Sequence, residues 1–264
     1  MNFTDTHAHL YSQEFNEDRN EMVARAVAAG VNKIFLPNID ASSMSGMLEL
    51  CQKFPENCFA MIGLHPCSVK ENYLGELKIV EEELKNFAAT KKYFGIGETG
   101  IDLFWDKTFI EEQKKSFAQH VQWAVDYNLP LIIHTRNSFD EAFEIVNSFS
   151  KKPKGIFHCF GGSLEDAEKI ISLETFKMGI GGVLTYKNST LPEVLKNVDI
   201  KHLVLETDAP YLPPVPFRGK RNESSYIPLI AKKLAEVKSI SVEEVARITN
   251  ENAEVIFNRN AEKL

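Results

Sequence analysis

The chain has 264 residues, is 44% hydrophobic and 25% charged, and carries a formal net charge of −7. That length suits one large domain with a sizeable core, and the acidity disfavours a protein that coats nucleic acid nonspecifically while leaving room for an enzyme that grips a few phosphates locally. No apolar run approaches the ~18 residues needed to span a bilayer, and no basic segment followed by an apolar one opens the chain, so a cytoplasmic protein without a membrane partner is the expectation.

Short apolar runs alternate with longer helical stretches throughout. Residues 3–7 form the first predicted strand. A helix follows over 14–29, with Met22, Ala26 and Ala29 on one face and Gly30 as its stop. Strands at 33–36 and 59–63 flank a helix at 42–54, and a helix at 77–89 leads to a strand at 93–97. Phe117, Val121, Ala124 and Val125 recur at helical spacing within 110–127. Strands at 131–134, 155–158, 176–180 and 203–206 alternate with helices at 138–149 (Ser138 as its cap candidate), 163–173 and 191–198. Helices at 222–237 and 241–257 close the pattern, and Ser241 with Glu244 has the spacing of a capping box. The strands are rich in Ile, Val and Phe and bounded by Gly, Pro or Asn, as buried strands are. Eight strand–helix units predict an α/β fold, a TIM-like (β/α)8 barrel as a single domain over residues 1–264. An open doubly wound sheet is the structural competitor.

Polar residues end several of these runs. His7 and His9 are two apart, so in a strand they point to one face and aim two imidazoles at one place. Glu98, His134, His158 and Asp208 end strands four, five, six and eight. In such a barrel the chemistry sits at the C-terminal strand ends. Six polar groups converging there are costly to bury unpaired, and two divalent cations, with Glu98 as the bridge, would resolve the cost. The four cysteines, Cys51, Cys58, Cys67 and Cys159, include no C-x-x-C pair and read as reduced, mostly core residues. Strand alternation predicts that Cys159 points away from the partners of His158. His120, inside a helix, and His202, at the wrong end of strand eight, read as structural.

With these residues in place, the chain resembles the TatD-type deoxyribonucleases, a branch of the metal-dependent hydrolases. The likeness rests on Asp5-Thr-His-Ala-His-Leu10, Gly63-Leu-His-Pro66, Gly97-Glu-Thr-Gly-Ile-Asp102, Ile133-His-Thr-Arg136, His158-Cys-Phe-Gly161, Glu206-Thr-Asp-Ala-Pro-Tyr-Leu212, Arg218-Gly-Lys-Arg-Asn-Glu223 and Asn252-Ala253. It implies hydrolysis of phosphodiester bonds at DNA ends, from the 3′ end of single strands and with RNA as a further substrate. The reaction would use hydroxide shared by two ions, Mg or Mn in activity with Zn possible in isolated protein. Carried over by position, His7, His9, Glu98 and Asp208 would hold one ion, and Glu98, His134 and His158 the other. His65 would contact the scissile phosphate, and Asp208 would take the proton of the attacking water. The chain departs from the usual pattern at Ser224-Ser225, where proline is common, and in an aromatic loop at residues 103–107.

Substrate grip is expected from Arg136 and from the basic cluster Arg218, Lys220 and Arg221, because a guanidinium donates two bonds to phosphate. Phe104, Trp105, Phe160 and Tyr186 at loop positions are candidates for stacking unpaired bases. A monomer is the expected state. The competing functions are a small-molecule amide or ester hydrolase, an aminoacyl-tRNA deacylase, and a non-catalytic metal-binding barrel. Glu98, where many relatives in the superfamily carry a modified lysine, favours the nuclease branch.

Overall fold

Eight parallel strands form one sheet in sequence order: β1 (Phe3–Asp5), β2 (Val31–Pro37), β3 (Cys58–Ile62), β4 (Tyr93–Asp102), β5 (Leu131–Arg136), β6 (Gly155–Phe157), β7 (Phe176–Ile180) and β8 (Leu203–Leu205). This computed structural model describes residues 1–258. The first and last strands are drawn together just beyond their ends. The Thr6 amide donates to Leu205 O at 3.0 Å, that of Asp208 to His7 O at 2.9 Å, and that of His9 to Ala209 O at 2.7 Å. These bonds, with the parallel bridge between Ala8 and Ala209, bring the sheet round into a nearly closed barrel.

The helices lie between strands: α1 (Arg19–Ala28), α2 (Ala41–Lys53), α3 (Tyr73–Lys85), α4 (Phe87–Thr90), α5 (Ile110–Asp126), α6 (Phe139–Ser148), α7 (Leu164–Ser172), α8 (Leu191–Lys196), α9 (Ile227–Lys238) and α10 (Val242–Phe257). Their apolar stripes cover the outward face of the sheet, where Ile34, Leu36, Leu131, Ile133, Phe157 and Met178 pack with Met47, Phe117 and Ile170. The inward face forms a separate layer of Phe35, Met61, Ile132, Ile156 and Val204. Burying each of these side chains stabilises by about 2 kcal/mol. α10 plugs the N-terminal end of that layer with Ala253, Ile256 and Phe257, and the Phe257 ring stacks on Phe35 at 3.6 Å. α10 covers that floor only in part, beside a cavity of about 460 Å³ lined by Phe35, Phe59, Phe94 and Phe257, and the polar strand-end residues gather at the opposite, C-terminal mouth.

The alternation of side chains places the polar residues. Two residues on from inward-facing Ile132 stands His134, and two further Arg136. Ile156 is followed likewise by His158, and Val204 by Glu206 and then Asp208. All eight expected strands exist, but their ends shift. His7, His9, His158 and Asp208 lie just past the ends of their strands, while Glu98 falls in the middle of β4 instead of at its end. Asp208 and Cys159 adopt left-handed backbone, with φ of 56° and 49°. That turn corrects the expectation for Cys159, which lines the mouth beside His158 instead of pointing away.

Two helix starts also differ from expectation. Ser138 does not cap α6. Its hydroxyl instead donates to Ile101 O at 2.5 Å and accepts from the Arg136 amide at 3.1 Å, which ties the ends of β4 and β5 together. Ser241 caps α10 by accepting from the Glu244 amide, and the reciprocal half of a capping box is not formed. The four cysteines are free thiols, and burial pushes that of Cys51 up to about 12. Among the described residues no helix is long and apolar enough to cross a membrane.

Candidate metal centre

Glu98, only 3% exposed, lies at the centre of the mouth, and its two oxygens divide the histidines into two sets. Oε2 lies 3.2 Å from both His7 Nε2 and His9 Nε2. Oε1 lies 2.8 Å from His134 Nδ1, 2.9 Å from His158 Nε2 and 3.2 Å from His65 Nε2. Asp208 Oδ1 closes the first set, 3.8 Å from His7 Nε2 and 3.7 Å from His9 Nε2. Three overlapping triads have donor atoms close enough to share an ion: His7, His9 and Asp208; His7, Glu98 and His158; and His65, Glu98 and His134. All six residues expected as ligands therefore meet, although they come from five separate strand segments, and Glu98 does so from the middle of β4 and not from its end as expected.

Hydrogen bonds from behind fix which nitrogen each ring presents. The Tyr11 hydroxyl donates to Pro37 O at 2.6 Å, so its oxygen accepts from His9 Nδ1–H at 3.0 Å and the lone pair of His9 Nε2 faces Glu98. Asp102 Oδ2 accepts from His134 Nε2–H at 3.0 Å, which turns the Nδ1 lone pair inward. Glu206 Oε1 lies 3.5 Å behind His158 Nδ1 and accepts from the Cys159 amide at 2.5 Å. Gly179 makes room for Glu206, since a Cβ there would fall 2.0 Å from its Oε2. Asp5, fully buried, accepts from the amides of His7 and Thr207 and from the Thr207 hydroxyl, and so ties the two ends of the barrel together under the site. Sequence reading missed Tyr11, Asp102 and Glu206 in these roles. The signal was present for two of them, because Asp102 and Glu206 stand at even spacing from Glu98 and Asp208.

The electrostatics suit a cation. The Nε2 atoms of His7 and His9 approach to 3.3 Å, as do His134 Nδ1 and His158 Nε2. Inward lone pairs this close to each other and to a carboxylate repel unless a proton or a metal lies among them. Burial opposes charge on Glu98, yet the His65, His158 and His7 imidazoles hold its carboxyl well below the ordinary range. Burial likewise opposes charge on His158, yet Glu98 and Glu206 hold its pKa well above the ordinary value. His7 goes the other way: burial and the neighbouring His158 push its pKa well below normal. Burial lifts the Asp208 carboxyl to about 6. Metal ions and protons compete for such donors. A set of nitrogens with two carboxylates fits a divalent ion, Zn or Mn more naturally than Mg, which prefers oxygen.

His65 differs from the other rings. Its Nδ1 accepts from the Cys67 amide at 3.0 Å. The proton therefore sits on Nε2, and His65 faces the mouth as a donor rather than a lone pair. The amide of the preceding residue, Leu64, donates to His120 Nε2 at 3.0 Å, while His120 Nδ1 donates to Ser116 O at 2.7 Å. His120 thus has the structural role expected of it and also holds the segment that carries His65.

The expected substrate residues separate. Arg136 and Trp105 line the mouth, a cleft of about 710 Å³ shared with Glu98, His134, His158 and Asp208. Tyr211 and Leu212, not foreseen, expose apolar surface on the opposite wall. Arg218 and Lys220 project from the following loop without lining the cleft. The Arg218 guanidinium covers the Tyr186 ring at 4.1 Å, and the Tyr186 hydroxyl donates to Pro213 O at 3.1 Å. Arg221 is used elsewhere: it holds both Asp18 oxygens at 2.7 Å, donates to Glu14 O, and lies over Phe15 at 4.5 Å. Phe160 is buried in the core rather than displayed in a loop.

Comparison with known proteins is consistent with this geometry. The family model described as TatD related DNase matches residues 4–258. The uncharacterized metal-dependent hydrolase YabD of Bacillus subtilis is 37% identical over 261 residues, covering 97% of this chain and 99% of its own length. YjjV of Escherichia coli, likewise an uncharacterized metal-dependent hydrolase, is 31% identical over 97% of this chain and 98% of its own. The crystal structure of that TatD homolog superposes with a TM-score of 0.89 at 30% identity, covering 97% and 98% of the two chains. A TatD family hydrolase of Entamoeba histolytica, at 24% identity over 98% of both chains, shares the fold with a TM-score of 0.83.

Proposed function

The chain belongs to the TatD-related DNase family of metal-dependent hydrolases, and from that membership we propose that it hydrolyses phosphodiester bonds at the 3′ ends of single-stranded DNA, with RNA as a further substrate. The observation that carries this reading is the division of four histidines and Asp208 around the two oxygens of one buried glutamate. His7, His9, Asp208 and Glu98 would hold one divalent ion, and Glu98, His134 and His158 a second. Such ions supply Lewis acidity at a phosphoryl oxygen and a nucleophile from water near neutral pH.

The protein's own groups do the rest. His65, with its proton on Nε2, donates to a phosphoryl oxygen as negative charge grows there. Asp208 is the proton acceptor: its side chain is 15% exposed, against 3% for Glu98, so it is the central carboxylate that an incoming water reaches. Arg136 offers a guanidinium to the phosphate from the same face of β5 as His134. Arg218 and Lys220, on the loop after β8, would add positive charge for the phosphates of a longer strand. Arg221 and Tyr186 have structural partners and are left out of this reading. The cleft volume is that of a small-ligand pocket, which suits a strand end better than the side of a duplex.

The experiment is one panel: end-labelled single-stranded DNA, RNA and p-nitrophenyl esters, each with Mg, Mn or Zn and each with EDTA. Stepwise 3′ shortening that EDTA abolishes is the expected result. Cleavage of esters with both polynucleotides untouched would replace this reading with ester hydrolysis. Metal analysis of the purified protein beside that panel identifies the ion.

A further inference from the structure

We propose that Phe104, Trp105 and Arg136 form a stacking corner at the mouth that takes an unpaired nucleobase next to the scissile phosphate. The inference rests on the phosphodiesterase reading and names the part of the substrate that the site recognises beyond phosphate.

The first observation is exposure that the fold maintains. Trp105 is 68% exposed and Phe104 49%, whereas the chain's other tryptophan, Trp123, is 6% exposed. This loop is not slack. Asp102 Oδ1 accepts from the amides of Phe104 and Trp105 at 2.9 and 3.1 Å. The Leu103 amide donates to Arg136 O at 2.9 Å. Lys70 Nζ holds Asp106 Oδ2 at 2.7 Å. A loop pinned on three sides presents its aromatic faces with their ordering cost already met, which is the condition for useful binding.

The second observation is the geometry. The two rings stand at 88° with centroids 4.9 Å apart. The Arg136 guanidinium carbon sits 3.8 Å from the Phe104 centroid and 5.1 Å from that of Trp105. Among the described residues no ion pair engages this guanidinium. His134 and Arg136 share the inward face of β5, and Trp105 and Arg136 line the same cleft as Glu98 and Asp208. A flat apolar face and an unneutralised fork donor therefore meet in one corner beside the carboxylate–imidazole cluster.

A nucleotide carries the complementary pair, an uncharged π-face and an adjacent phosphate. Every base has such a face, so recognition is tolerant of sequence. A base inside a duplex already has neighbours on both faces and a pairing partner, so the corner selects single-stranded ends. Asp102 ties this corner to the chemistry, since its other oxygen orients His134. The binding of a base and the aim of a histidine then rest on one carboxylate.

The test uses the full-length protein with Mg and a phosphorothioate oligothymidylate, which resists cleavage. Binding is followed by fluorescence anisotropy of a 5′-labelled strand, a signal that does not depend on the protein's two tryptophans, Trp105 and Trp123. The expected result is affinity lowered about 5- to 100-fold in Trp105→Ala and largely restored in Trp105→Phe. A phosphorothioate strand of abasic sites is expected to bind about as weakly to the unaltered protein as the oligothymidylate does to Trp105→Ala. Melting temperature checks that the exposed substitution leaves the fold intact. Trp105→Ala binding as tightly as the unaltered protein, or abasic and base-bearing strands binding equally, would overturn the corner alone. Failure of the unaltered protein to bind or shorten any polynucleotide would overturn the phosphodiesterase reading and the corner with it.

Discussion

Single side chains decide which atom faces the chemistry, and two substitutions separate their roles. Asp102→Asn keeps an oxygen for the Phe104 and Trp105 amides but sets an amide N–H against His134 Nε2–H, which drives the ring to the tautomer with Nδ1 protonated. The Asp102 carboxyl is held well below its usual range by the His134 bond and the Trp105 and Phe104 amides, against the effect of burial, so in the native protein it accepts from both sides. We expect metal affinity to fall about 10- to 100-fold, read by titration against a metal indicator, with little change in melting temperature. His65→Gln is expected to leave metal content intact and to lower kcat about 10²- to 10³-fold. Loss of metal from that variant would make His65 a ligand instead of a donor. The six central groups were legible in the sequence because apolar runs end on them and because the spacing of His7 and His9 aims both rings to one side. Tyr11 was not, since its hydroxyl acts through a carbonyl 26 positions away, at Pro37.

At the level of elements, eight strands and their helices follow from apolar periodicity, and their ends do not. β1 ends before His7, and β6 ends before His158. The bends that carry both histidines inward are imposed by hydrogen bonds across the barrel seam and by left-handed backbone at Cys159, which no local pattern announces. Arg221 illustrates the same limit, because its partner Asp18 lies 203 positions away. Asp18 also receives Arg25, and Arg25 holds Glu223 at 2.7 Å, so the network fastens the loop after β8 to α1. Two arginines that look alike in the sequence should therefore respond differently. Arg221→Ala is expected to lower stability by about 1 kcal/mol in urea unfolding and to leave the salt dependence of single-strand binding unchanged. Arg136→Ala is expected to reduce the slope of log K against log salt by about 0.7 with unchanged stability. The opposite pattern would return Arg221 to the substrate.

Over the whole molecule, stability depends on pH partly through one group outside the metal centre. Burial pushes the His120 pKa from its usual 6.5 down to about 4, partly opposed by the bond to Ser116 O. The unfolded chain binds a proton at this residue below 6.5 and the folded chain only below about 4. This contribution is therefore complete above pH 6.5 and is lost as pH falls toward 4, by about 3 kcal/mol in all. Thermal unfolding between pH 7 and 4 should show a shallower loss of melting temperature in His120→Gln than in the unaltered protein, although the variant starts lower. Equal slopes would place the acid sensitivity in other groups.

The helix that stoppers the barrel floor also has a bearing on synthesis. A ribosome delivers all eight strands before α10, so a nascent barrel holds Phe35, Met61 and Val204 open to water from below until Ala253, Ile256 and Phe257 emerge. The hydrophobic interior is covered late, and the unfinished polypeptide meanwhile offers a sticky vestibule to chaperones or to its neighbours on the same messenger.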